Sequence, residues 1–123
     1  MAKTKKDPVR ENRISDEVIV DAYGPEEQAM AWYCYLENNI RFPFRAKCTA
    51  AKTTSPLRKG ETVEVGRMAS DDVCSADMLV LVRREEGRNL AIPLSQITAI
   101  DADEETTEAI SDWHYWIAQG YTF

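Results

Sequence analysis

The chain predicts an α+β fold: a small SH3-like five-stranded barrel or sheet flanked by two N-terminal helices and one C-terminal helix. Three observations carry this. Apolar residues recur at spacings of three and four between Pro25 and Ile40, and from Phe42 the period drops to two over several short runs. An acidic stretch from Asp101 then leads without a turn residue into Trp113-His-Tyr-Trp-Ile117, a helix anionic at its start and aromatic at its end. With 123 residues, 44% of them hydrophobic, the chain is long enough to bury one core. We expect a single α+β domain over residues 14–123, preceded by a flexible basic arm over residues 1–13.

Met1 to Arg13 is polar and lacks apolar periodicity, which is the reason for reading it as an arm. Ser15 followed by Asp16 and Glu17 reads as a capped first helix that ends at Gly24. Pro25 suits the first position of a second helix, running to about Asn38 on a stripe of Ala29, Met30, Tyr33, Leu36 and Ile40. Phe42, Phe44, Ala46 and Cys48 alternate with polar or proline positions as a half-buried strand. A turn-rich loop, Lys52 to Gly60, precedes a second strand at Thr62 to Met68. The third strand is expected over Met78 to Arg84 and the fourth over Asn89 to Leu94, joined by a hairpin at Glu85 to Arg88. A single helical turn at Ser95 to Ile97 and a fifth strand at Thr98 to Ile100 complete the sheet. Five short strands with a turn before the last resemble a small SH3-like barrel, an order that other small five-stranded sheets also fit.

The formal net charge of -6 is unevenly spread. Residues 1–13 carry five Lys/Arg against two acids, whereas residues 89–123 carry six acids and no Lys or Arg. A cation suits that C-terminal field and nucleic acid does not. No apolar run reaches the length of a membrane span, and no hydrophobic stretch follows the basic start, so we expect a cytoplasmic protein with no membrane partner. Cys34, Cys48 and Cys74 are odd in number and widely spaced, which fits neither a disulfide framework nor zinc knuckles. The lone His114 has no nucleophile at a recognisable spacing, and no phosphate loop is present, so we expect no enzyme.

Six carboxylates fall within residues 101–112: Asp101, Asp103, Glu104, Glu105, Glu108 and Asp112. Hard oxygen donors at this density suit Ca²⁺. The stretch is not an EF-hand loop, because Thr106 stands at the sixth position, where that loop needs Gly, and the shorter Asp112 at the twelfth. As a helix it would stack Glu104, Glu108 and Asp112 on one face, although Asp103, Glu104 and Glu105 could equally serve as a cap and first turn. A second cluster, Asp71, Asp72 and Asp77, joins two strands and could offer three carboxylates to an ion or be an ordinary loop. The acidic helix is expected to be the principal Ca²⁺ site.

Three blocks carry a resemblance: Asp21-Ala-Tyr-Gly-Pro-Glu-Glu-Gln-Ala-Met30, Phe42-Pro-Phe-Arg-Ala46, and Asp101-Ala-Asp-Glu-Glu105 with Asp112-Trp-His-Tyr-Trp116. In this order they are similar to the cyanobacterial-type calcium-binding protein family, CcbP, over roughly residues 15–121. The resemblance implies a small acidic bacterial protein that binds Ca²⁺ outside the EF-hand scheme and buffers or senses it. The ligands remain those suggested by charge clustering. The rival expectation is an SH3-like interaction module that binds an unidentified protein partner while its acidic face only solubilises it.

Overall fold

The computed structural model describes residues 7–49, 58–70, 74, 77–83 and 89–121. Its elements are α1 (Pro8–Arg13), α2 (Pro25–Asn39), β1 (Phe44–Cys48), β2 (Thr62–Met68), β3 (Leu79–Arg83), β4 (Asn89–Pro93), β5 (Ile97–Ile100) and α3 (Glu104–Ala118). All strand pairings are antiparallel, and the sheet order is β4-β3-β2-β1-β5. The chain therefore meanders through four strands and returns its fifth to the free side of the first. A 3₁₀ turn at Leu94–Gln96 turns the chain toward that return, as the expected single helical turn requires.

The N-terminus differs from expectation. The first helix begins not at Ser15 but at Asp7, whose carboxylate accepts from the Val9 and Arg10 amides while Pro8 occupies the first position. It continues through Ile14–Val18 as one wide turn, in which the Ile19 amide reaches back five residues to the Ile14 carbonyl at 3.0 Å. Ile14 and Val18 of this turn both enter the core while Ser15 stays exposed. Residues 7–13 are thus no flexible arm, and residues 1–6 lie outside the described residues.

Along α2 the buried positions are Ala29, Trp32 and Leu36, with Ile40 just beyond. Met30, expected on the stripe, is 46% exposed, because Trp32 rather than Met30 completes the period with Ala29 and Leu36. The indole of Trp32 meets Trp113 at 5.0 Å and Trp116 at 5.5 Å between ring centres, which ties α2 to α3 through the most buried part of the core.

Beneath them the inner sheet face offers Phe44, Ala46, Cys48, Val65, Val80, Val82, Ile92 and Ile97. Register shifts at Gly66, where β2 carries an extra residue between the Val65–Val82 and Arg67–Leu81 pairs. That bulge reverses the side-chain phase, sending Arg67 outward and Met68 into the core. The expected hairpin at Glu85 to Arg88 and most of the expected loop at Lys52 to Gly60 lie outside the described residues. Gly60, at the end of that loop, takes φ +93, a left-handed conformation that an L side chain resists.

Candidate metal centre

The acidic run divides where α3 begins. Asp101 takes φ 52, a left-handed conformation that Asp tolerates better than most residues, and this bends the chain sharply off β5. Asp103 then caps α3, accepting from the Thr106 amide at 2.7 Å. Thr106 is buried, and its hydroxyl accepts the Arg41 amide at 2.8 Å, so the cap is fastened to the segment entering β1. Bonds from Thr106, helped by Arg41, hold the Asp103 carboxyl below the usual carboxylate range. Glu104 and Glu105 point into solvent in the first turn. Asp101 and Asp103 line a cleft of about 540 Å³ together with Glu64, Arg41, Arg45 and the side chain of Ile100.

One and two turns further along α3, the last two carboxylates have a different fate. Asp112 is fully buried and all its acceptor capacity is taken. Its Oδ1 receives Arg10 Nη1 and Arg13 Nη2, each at 2.6 Å, and its Oδ2 receives Arg13 Nε at 3.0 Å and the Tyr35 hydroxyl at 2.7 Å. The Arg13 contact is bidentate, the strong and directional form of the pair. Its hydrogen bonds to Asp112 push the guanidinium pKa up, while burial and then the same carboxylate push the Tyr35 phenol up. Glu108 joins from the rim, 2.9 Å from Arg13 Nη2 and 3.6 Å from Arg10 Nη1. A second set of bonds straps the same helix down: the Asp7 amide donates to the Tyr115 hydroxyl at 3.0 Å, and Tyr115 and Tyr121 both donate to Glu11.

Of the residues expected to bind metal, Asp101, Asp103, Glu104 and Glu105 therefore cluster at the start of α3. Glu108 and Asp112 do not join them, because arginines of the supposed arm occupy their oxygens. Asp71 and Asp72 lie outside the described residues, and Asp77 is half-buried at the approach to β3. Among the described residues no three Asp, Glu, His or Cys side chains converge on one point as a ready metal site. The donor set at the α3 start is nevertheless all oxygen, open to water and mostly uncommitted, which fits Ca²⁺ and its tolerance for irregular geometry with water among its ligands.

Sequence reasoning missed Arg10, Arg13, Tyr35, Thr106 and Glu64. For the arginines a signal existed: Asp7-Pro8 is a helix start, and a helix begun there puts two cations three residues apart on one face. His114 is a structural residue, its Nε2 bonded to the Leu94 carbonyl at 3.2 Å and its imidazole pushed by burial below its usual pKa.

Residues 12–117 match the model of a family described as calcium binding, CcbP. Two solved structures are similar over 100% of both chains: the crystal structure of Anabaena CcbP, at 46% identity and a TM-score of 0.88, and a calcium-binding protein in its calcium-binding form, at 44% identity and a TM-score of 0.88. No curated protein matches the chain.

Proposed function

Because the chain belongs to the CcbP calcium-binding family, we propose that it binds Ca²⁺ without performing chemistry, as a cytoplasmic buffer or sensor. The principal site in this reading is the start of α3, with Asp101, Asp103, Glu104 and Glu105 as carboxylate donors and Glu64 across the cleft. The loop holding Asp71, Asp72 and Asp77 is a secondary site. One observation carries the choice: Arg10, Arg13 and Tyr35 saturate Asp112 and the two arginines engage Glu108, whereas the carboxylates at the α3 start face solvent. The relative solved in a calcium-binding form supports the ion. Cys34, Cys48 and Cys74 form no disulfide, which agrees with a reducing compartment. Among the described residues no helix is long and apolar enough to cross a membrane.

The test is calorimetric titration with Ca²⁺ in physiological salt on the full chain and two double variants. Changing Asp101 and Asp103 to Asn, which retains a cap at 103, is expected to weaken binding at least tenfold, a loss of about 1.4 kcal/mol. Changing Asp71 and Asp72 to Asn is expected to weaken it less. A larger effect from the loop pair would reverse the ranking, and the absence of any saturable heat would end the calcium reading for this chain.

A further inference from the structure

The outer face of the sheet is basic on a protein of net charge -6. Strand alternation and the Gly66 bulge place Arg45, Lys47, Arg67 and Arg83 there, all exposed, with Glu64 as the one acid among the described strand residues of that face. Leu79 and Leu81 lie between them, only half-buried on an inner strand of the sheet.

The acidic start of α3 adjoins this face. Ile100 pairs with Arg45, so the last residue of β5 stands beside the basic strands and Asp101 follows at once. Arg45 and Glu64 of the sheet share a cleft with Asp101 and Asp103. At about 4.8 Å per strand, the step from β3 across to β5 spans roughly 14 Å. Over that distance the surface passes from four cations to the exposed Asp101, Asp103, Glu104 and Glu105. A surface with adjacent patches of opposite sign is self-complementary under a two-fold rotation, since each patch meets its opposite on the second copy.

We propose that two copies of this chain associate about a two-fold axis, the basic sheet face of each covering the acidic start of α3 of the other, and that Ca²⁺ at that acidic site opposes the association. The second half rests on the calcium reading above. A divalent ion there competes directly with the arginines of the second copy for the same carboxylate oxygens. Local pairing of opposite charges holds the contact, so screening by salt weakens it.

Sedimentation of the full chain without Ca²⁺ tests the contact. A dimer is expected at low ionic strength, dissociating between about 0.01 and 1 M salt as the Debye length falls from about 30 to about 3 Å. Arg45→Glu with Lys47→Glu, and separately Glu104→Lys with Glu105→Lys, should each give monomers that still melt cooperatively. Mixed one to one, the two variants should restore the dimer, because each reversed patch then faces its opposite. A chain monomeric at low salt, a dimer indifferent to both reversals, or folded variants that fail to pair on mixing would each overturn the contact. Ca²⁺ is expected to dissociate the wild-type dimer over the range in which calorimetry registers binding. Binding heat with an unchanged dimer would overturn the regulation, whereas no binding heat would sink the calcium reading and leave the mixing result to judge the contact by itself.

Discussion

Asp112 shows how far a single residue's role depends on what surrounds it. Its carboxylate is out of water with four donors on two oxygens, so removing its charge leaves Arg10 and Arg13, only 19% and 27% exposed, with no buried counter-ion and only the half-exposed Glu108 and Asp7 beside them. Asp112→Asn should therefore destabilise the fold by about 3 to 5 kcal/mol, measured by urea unfolding. Glu108→Gln, at a 47% exposed rim position, should cost at most about 1 kcal/mol. A small loss for Asp112→Asn would mean that the arginines relax freely into solvent. His114 gives a second test at this scale. Burial lowers its folded pKa below 6.5, so as pH falls through 6.5 the unfolded chain takes up a proton that the folded chain refuses, and stability declines with it. Unfolding midpoints should thus fall below pH 6.5 in the wild type and fall less in His114→Asn. Parallel curves would assign the decline to other groups.

Among the elements, α1 changes most between sequence and structure. Five cations in thirteen residues read as a solvated arm, because the helix start at Asp7-Pro8 does not by itself reveal that its arginines dock on an acid far along the chain. Deleting residues 2–13 is now expected to lower Tm by on the order of 10 °C, since it strips a buried carboxylate of both counter-ions. A Tm within about 2 °C of the intact chain would show that α1 contributes little to the folded state. The strands were legible because alternation survives wherever one face is buried: β1 reads buried, exposed, buried, exposed, buried from Phe44 to Cys48. The phase slip at Gly66 was not, because a bulge is a relation between two strands.

For the molecule as a whole, calcium at the start of α3 should raise Tm by mass action, contributing roughly 2.7 kcal/mol when the ion stands at a hundred times its Kd. Magnesium should do less, since it sheds water reluctantly and demands a regular octahedron that exposed side chains do not provide. Equal shifts from both ions would point to general screening of the acidic field. Tryptophan emission is expected to follow unfolding and not ion binding, because Trp32, Trp113 and Trp116 lie in the core and stack on one another. A calcium-dependent emission change without a change in Tm would place the ion nearer that cluster than the α3 start.

From its sequence alone the chain determined the fold class, the α2 helix, all five strands to within two residues and the start of the acidic helix. Each of these rests on apolar periodicity or on a local cap such as Asp103. It also singled out the run of carboxylates from residue 101, because density of carboxylates along the chain is a one-dimensional property. Only the tertiary structure decided which of the six were spent. Glu108 and Asp112 look no different in sequence from Glu104 and Glu105, yet one pair is engaged by Arg10 and Arg13 and the other is exposed. Glu108 and Asp112 lie further along the helix, where the α1 arginines reach them, and burial makes an unpaired charge at Asp112 far too costly to leave there.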